Sequence, residues 1–344
     1  DFLNVHNQEW ITKNALDFIE ENHAQRFFLY MAPTINHGPV RNDLSKSLLA
    51  DRNYTSAGYL PNEDYSFMPL RQSIVNEVNA AGKQLISARE TWIDYSMAAI
   101  SNKLAAHGLV NDTLIIFTAD HGEKELNSSP AVWGKSSLYD LGMRVPLVMH
   151  WPAGIASPGR TYAESVSHID FVPTLLELAG ATNLPTRTVD GSSLVPVLNG
   201  SSASLRDDVF CEIGYARGVR SKDWKYIAVR YTPSVYTQIN NGYLWKNFDT
   251  GLFTEPRPYY VNNSSLGYLS RKGHPGYYDD DQLYDLSNDP MEQNNLYGQY
   301  PEIAYNLKKR LGDYMGDIPN RPFRQFSDAS TEFSPAPVGA PSAP

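Results

Sequence analysis

An α/β fold is predicted for this chain: a mostly parallel sheet with helices on both faces, then a smaller antiparallel sheet-and-helix subdomain. Three observations predict it. Short, continuously apolar runs alternate with amphipathic stretches, as in strands covered on both sides. After about residue 200 the texture changes to short candidate strands. The 344 residues are 42% hydrophobic and 19% charged, enough apolar material for a full core.

The first helix is predicted from Asn7, a capping residue, with Glu9 in its first turn and Ile11, Ala15, Phe18 and Ile19 on one face. Phe27-Phe28-Leu29-Tyr30-Met31-Ala32 reads as a buried strand that Pro33 ends. Ile93, Met97, Ile100 and Leu104 mark a second helix, closed at His107-Gly108. Thr113–Thr118 and Val145–Trp151 read as further buried strands. Asp170 is the expected N-cap of a helix carrying Phe171, Val172, Leu175, Leu176 and Leu178, stopped at Gly180. The later strands are Val209–Ile213, Gly218–Arg220, Trp224–Val229 and Gln282–Leu286, and a late helix runs from Pro301 to Met315. Tyr231–Asp281, rich in Tyr, Asn, Gly and Pro, has no period and is too long for a routine connection; it reads as a functional loop or a mobile insertion. The Pro/Ala/Ser-rich end, Ser334–Pro344, reads as a disordered tail.

Composition excludes several classes. Lys and Arg number 29 against 38 Asp and Glu, a net charge of −9. That leaves no positive field for nucleic acid. No apolar stretch reaches the roughly 18 residues of a transmembrane helix. A single cysteine, Cys211, excludes a disulfide framework and a Cys-rich zinc site, and in Phe-Cys-Glu-Ile it reads as packing. The chain opens at Asp1 without Met or a basic-then-apolar leader, so processing or a start inside a longer protein is expected.

In parallel sheets, ligands gather at the carboxyl ends of strands. One such end is Ala32-Pro33-Thr34-Ile35-Asn36-His37-Gly38-Pro39, and another is Thr118-Ala119-Asp120-His121-Gly122. Asp120 offers a hard oxygen and His121 a nitrogen, a pair suited to a divalent cation. Taken alone, the tripeptide is equally satisfied by an Asp that caps a turn beside an exposed His.

The segment Gly134-Lys135-Ser136-Ser137-Leu138-Tyr139-Asp140-Leu141-Gly142-Met143-Arg144-Val145-Pro146 is longer and more specific. It resembles the G-K-x-x-x-Y-[DE]-x-G-x-R-V-P block of type I sulfatases, the formylglycine-dependent arylsulfatase-like enzymes. Ala15–Glu21 with the Phe27 strand and His37, Leu114–Gly122, His168–Gly180 and Gln282–Leu296 resemble further blocks of that family in its order. The resemblance implies an alkaline-phosphatase-like sandwich. It implies that residues 1–205 are the carboxy-terminal part of its α/β domain. Residues 206–330 would be the smaller subdomain, with 231–281 inserted, and 331–344 the tail.

The resemblance also implies chemistry. Asp120 and His121 match ligands of one divalent cation, in this family usually calcium. His37 matches a histidine that contacts the sulfate or protonates the departing alcohol, a role suited to imidazole near neutral pH. Lys135 matches the lysine that reaches the sulfate and the leaving oxygen, where a fixed cation meets growing negative charge. Arg144, His168, Tyr139 and Asp140 read as scaffold. The implied substrate is a sulfate ester; the aromatics of the Tyr-rich insertion, Trp245 among them, either stack on sugar faces, which leans toward a carbohydrate, or pack on one another. The implied location is secreted, lysosomal or periplasmic, to which sequons at Asn53, Asn111, Asn127, Asn199, Asn262 and Asn263 would be suited.

The departures are specific. The family nucleophile, a Cys or Ser in C/S-x-P-x-R that becomes formylglycine, is absent here, as is the early Asp-Asp metal pair. Asn127–Ala131 stands where relatives place another His or acid. The expectation is a carboxy-terminal portion of a sulfatase that is inactive and aggregation-prone alone. Two other readings stay open: a phosphoryl hydrolase or transferase of the same superfamily, and a non-catalytic binder of sulfated glycans.

Overall fold

The computed structural model describes residues 6–35, 50–123, 132–182, 189–202, 204–247, 250–258 and 265–317. His37, Asn127–Ala131 and the 331–344 tail lie outside them. The chain folds as two units, Asp1–Leu114 with Trp151–Gly154, and Ile115–His150 with Ile155–Pro344. No helix among the described residues is long and apolar enough to cross a membrane.

The first unit is built on helices α1 (Gln8–Asn22), α2 (Arg71–Ala80) and α3 (Ser87–Ala106), with a small hairpin of β1 (Tyr54–Thr55) and β2 (Gly58–Tyr59). Helix α1 starts where Asn7 predicts. Asn7 caps nothing with its side chain, however; its amide donates to Ser56 Oγ at 2.8 Å. Trp92, Ile74, Val75, Met68 and Ile35 form the core. Glu9 and Arg71, both buried, form a two-pronged ion pair at 2.8 and 2.7 Å, and the Arg71 guanidinium lies 4.5 Å from the Trp92 ring centre. The predicted strand Phe27–Ala32 pairs with nothing among the described residues, and Phe28 and Tyr30 are 69% and 81% exposed. Apolarity signals a strand, but a strand exists only where a neighbour accepts its backbone bonds.

The second unit opens with β3 (Ile115–Thr118), α4 (Asp140–Met143) and β4 (Leu147–His150). β3 and β4 pair antiparallel, with Ile115 opposite His150 and Thr118 opposite Leu147. Burial on both faces is expected of them, yet every β3 residue is only half-buried and Val148 is exposed. Among the described residues each has only the other as sheet partner, so nothing covers the outer edges. Helix α5 (Phe171–Leu178) follows, ended at Gly180 with φ 67°, then the short α6 (Val195–Leu198). Asp170 is not the side-chain cap expected for α5. It sits third in a capping box with Ser167, fully buried, and its other oxygen accepts from Ser192 N at 2.9 Å and from Arg206.

The antiparallel sheet follows the predicted strands closely: β5 (Asp208–Ile213), β6 (Ala216–Ser221) and β7 (Trp224–Val229). The 231–281 stretch is not structureless. It holds α7 (Pro233–Asn240), a hairpin of β8 (Trp245–Lys246) with β9 (Phe253–Glu255), and α8 (Ser265–Gly273). Thr232 starts α7 by accepting from Val235 N, with Pro233 in the first turn. Strand β10 (Asp281–Asp285) completes the sheet in the order β10-β7-β6-β5, and α9 (Pro301–Asp317) closes the described chain.

Period-two alternation divides this sheet between two cores. Val219, Tyr226, Ala228 and Leu283 meet Ala304, Leu311 and Met315 of α9. Ala216, Ile227, Val229 and Tyr284 face Leu138, Tyr139 and Tyr277. Lys225 shares this second face and is fully buried. Its ammonium donates to Leu138 O at 3.0 Å, Asp140 Oδ1 at 2.5 Å and Glu292 Oε1 at 2.7 Å. Arg220 Nη2 reaches Asp140 Oδ2 at 3.1 Å, and Asp140 N donates to Glu292 Oε2 at 2.6 Å. Burial opposes ionisation of Asp140, but Lys225 and Arg220 outweigh it and hold the carboxyl at about 2. Glu292 shifts the other way, raised by its deeper burial despite Lys225.

Two outcomes follow for the cluster. Lys225→Met leaves two buried carboxyls without their cation and lowers the unfolding free energy by about 3–5 kcal/mol in urea denaturation, part of which Glu292→Gln restores. A loss within experimental error would show that Lys225 does not hold the cluster. Asp140 is held below its unfolded value, so it stabilises the fold above pH 4. That contribution, about 2 kcal/mol, is lost as the pH falls from about 4 to about 2. Asp140→Asn removes it at neutral pH and flattens that part of the stability–pH curve.

Candidate active site

Strand β3 ends at Thr118, and Ala119-Asp120-His121-Gly122 leaves its carboxyl end. The Thr118 hydroxyl lies 2.9 Å from Pro146 O and 3.1 Å from His168 Nε2, tying this end to the start of β4 and to the turn before α5. Asp120 is largely exposed. Its Oδ1 accepts from His121 N at 3.0 Å, and its Oδ2 lies 3.3 Å from His121 Nε2. His121 Nδ1 is 2.8 Å from Gly122 O, a carbonyl that only accepts, so Nδ1 carries a proton.

The Lys135 loop is fastened to this segment through its backbone. Gly134 N and Lys135 N both donate to Glu123 O, at 2.7 and 3.0 Å, and Gly122 N donates to Gly142 O at 2.9 Å. The crossing admits no side chains. A Cβ at Gly134 would lie 2.3 Å from Gly142 N, and one at Gly142 would lie 2.0 Å from Gly134 O. These contacts explain both glycines of the Gly134–Pro146 block. Ser136 takes φ 63°, and Ser137 Oγ donates back to Gly134 O at 2.5 Å.

A second set of contacts supports the loop from the 231–281 stretch. Ser270 Oγ donates to Lys135 O at 3.0 Å, and His274 Nε2 lies 3.2 Å from Trp133 O. The His274 and Tyr139 rings stack at 3.5 Å, and Tyr139 OH donates to Gln282 Oε1 at 2.9 Å. Burial lowers the His274 pKa to about 4, so the ring is neutral at physiological pH and acts here as a packed hydrogen-bonding plate. The loop backbone is therefore gripped on two sides. The Lys135 side chain is half-buried, and its ammonium has no ion pair among the described residues.

Thus Asp120, His121 and Lys135 are brought to one edge. His37 lies outside the described residues. Asp120 and His121 offer one oxygen and one nitrogen that a divalent cation could bridge, and among the described residues no third His, Cys, Asp or Glu joins them within ligand reach. Two donors suit a shared site but fall short of the six or more oxygens calcium takes. A cavity of about 780 Å³ adjoins Gly122 and Glu123 and is also lined by Asp140, Arg144, Arg220 and Lys222. Arg144, read as a loop anchor, is exposed on its wall. Cys211 offers no nucleophile: burial pushes its thiol up to about 12, and Sγ lies 3.4 Å from Gly218 O.

Sequence reasoning missed the Lys225 cluster and the His274 support. The signals were nonetheless present. Asp140 lies in the Gly134–Pro146 block and Glu292 in the Asp-Pro-x-Glu turn of the late block, and the two blocks meet at Lys225.

A family model described as Sulfatase matches residues 4–181, and one described as N-sulphoglucosamine sulphohydrolase, C-terminal, matches residues 131–240. An ulvan-active sulfatase of Formosa agariphila is 30% identical over 233 residues, covering 63% of this chain and 40% of that protein. Arylsulfatase A of Homo sapiens is 34% identical over 230 residues, with the same coverage of 63% and 40%. The chain thus spans about 40% of the length of these relatives. Among solved structures, one from work on glycosaminoglycan metabolism by Bacteroides thetaiotaomicron superposes with a TM-score of 0.58 at 20% identity, over 90% of this chain and 54% of the other. Another, solved with its substrate D-glucosamine-2-N,6-O-disulfate, gives 0.53 at 19% identity, over 92% and 71%. The fold is alkaline-phosphatase-like, with its smaller antiparallel sheet, and the chain belongs to the type I sulfatases of that superfamily.

Proposed function

We propose that the protein carrying this chain hydrolyses sulfate esters on carbohydrates, and that this segment supplies part of its active site. The observation that carries the reading is the pair of backbone hydrogen bonds from Gly134 and Lys135 to Glu123 O, which holds the Lys135 turn against the Asp120-His121 strand end. A lysine fixed in this way can meet the negative charge that grows on the ester oxygen as the S–O bond breaks. His37 would give the departing alcohol its proton. Asp120 Oδ2 and His121 Nε2 would hold one divalent cation, calcium by family resemblance, with further ligands from elsewhere in the protein. When bound, that cation would supply positive charge against a sulfate oxygen. The nucleophile, expected as formylglycine, would likewise come from outside this segment. The chain alone would bind weakly and turn nothing over.

Sulfated carbohydrate is favoured by the β8–β9 hairpin. Tyr243 and Trp245 pack edge to face at 4.9 Å, and Tyr243, Leu252 and Phe253 are exposed. Aromatic faces of this kind can stack on sugar rings. The other tyrosines of the stretch divide differently. Tyr277 is buried in the core and Tyr236 packs against it, so neither is offered to a ligand. Tyr259 and Tyr260 lie outside the described residues, as does the side chain of Tyr268. A secreted, lysosomal or periplasmic site of action is the matching location.

In the full-length protein, Lys135→Ala lowers kcat/KM for a sulfated sugar by about a hundredfold or more. Full activity in that variant, or phosphate-ester hydrolysis exceeding sulfate-ester hydrolysis in the parent, overturns the reading. Trp245→Ala raises KM for a sulfated glycan while sparing a small aryl sulfate. Equal effects on both substrates remove the hairpin from substrate binding.

A further inference from the structure

Helices α1 and α3 of the first unit bring their carboxyl ends together. His23 follows the last residue of α1 and His107 the last residue of α3, and their rings stack at 4.1 Å with 23° between planes. Glu20 stands one turn back on α1, so Glu20 and His23 form an i,i+3 pair on one helix face. His107 Nε2 lies 3.1 Å from Glu20 Oε2. His23 Nδ1 lies 2.6 Å from Glu20 O. A carbonyl only accepts, so His23 Nδ1 carries the proton and Nε2 keeps its lone pair. That arrangement is the one metal-bound histidines adopt, with the non-ligating nitrogen donating to a carbonyl.

We propose that Glu20, His23 and His107 form a site for a borderline divalent cation of the Zn²⁺ class. The three ligand atoms lie within 4.8 Å of one another. Four-coordinate zinc holds such donors at about 2.0–2.2 Å, with their atoms roughly 3.3 Å apart, so small side-chain rotations close the site. Two imidazoles and one carboxylate suit Zn²⁺ better than Ca²⁺, which prefers oxygen. The setting adds to this. Both histidines sit at helix carboxyl ends, where partial negative charge gathers and cations are favoured. The donors are solvent-accessible, which leaves a fourth position to water. Lys103, one turn before His107, donates to Glu20 and occupies the place where the cation's charge would fall. Metal entry therefore displaces the Lys103 ammonium from Glu20. The bound ion would staple the ends of the two helices that form the framework of this unit. None of the three ligands belongs to the Asp120–Lys135 edge.

The test is Zn²⁺ titration of the full-length protein by calorimetry, with Ca²⁺ in saturating excess and in a His121→Ala background, which removes the strand-end imidazole. One saturable Zn²⁺ site is expected, which the excess Ca²⁺ does not fill. His23→Ala and His107→Ala each weaken Zn²⁺ binding by about tenfold or more, and Lys103→Met, which lifts the competing charge, tightens it. Zn²⁺ also raises the melting temperature of the background protein and not that of the His23→Ala/His107→Ala variant. Substitutions at these accessible helix ends leave the far-ultraviolet circular dichroism unchanged, so lost binding cannot be lost folding. Absence of saturable Zn²⁺ binding, or binding that both histidine substitutions leave unchanged, overturns the proposal.

Discussion

A fully buried lysine is costly unless its charge is answered, and the second unit is organised around answering one. Lys225 projects from the middle of the antiparallel sheet into an otherwise apolar face of Leu138, Ile227 and Tyr284. Its three hydrogen bonds fix where the 138–140 turn and the 292 turn must lie. Remove the ammonium, and two carboxyls and a carbonyl are left to repel one another at a largely buried point. Arg220 and the Asp140 amide bond complete the balance, so four charged groups and one backbone amide satisfy each other. The cost of any displacement makes the arrangement specific rather than merely stable.

That specificity is transmitted to the candidate site by a short path of chain. Asp140 lies five residues after Lys135, and between them Tyr139 is clamped by the His274 ring and Gln282. The loop's near end is tied to Glu123, and its backbone is supported by Ser270. The Gly122, Gly134 and Gly142 contacts remove the remaining slack, because backbone sits where a Cβ would stand. The backbone that carries the Lys135 side chain therefore has little freedom of its own left to lose. The strand-end pair Asp120–His121 is less constrained. Only their mutual contact and local backbone bonds orient them among the described residues.

Much of this was legible in the sequence, for identifiable reasons. The strands Trp224–Val229 and Asp281–Asp285 and the helix Pro301–Asp317 carry their own period and punctuation, and they form within two residues of where those signals put them. The motifs were legible too, and Gly134 to Pro146 and Gln282 to Leu296 each supply one carboxyl partner, Asp140 and Glu292, to one lysine. What was not legible depended on partners distant in the chain. The Phe27–Ala32 run looks buried by composition, yet burial needs a covering layer. Asp170 looks like a cap, yet Arg206 and Ser192 recruit its carboxylate instead. The 231–281 stretch looks irregular because its helices are short and its aromatics are shared between core and surface.

The sequence by itself determined the α/β class, the family, the strands and final helix of the late antiparallel sheet, and which residue types stand at the strand end and in the lysine loop. These follow from local period, glycine positions and spacing, which are properties of contiguous residues. Tertiary structure alone decided that Asp140 and Glu292 meet on Lys225, that His274 supports Tyr139, and that Glu20, His23 and His107 converge. Each of those meetings joins residues separated by a helix or by most of a unit, and only packing can say which side chains arrive at the same point. At Lys225 electrostatics then makes the arrival binding, because a charge buried without its partner costs more than the rest of the local packing can return.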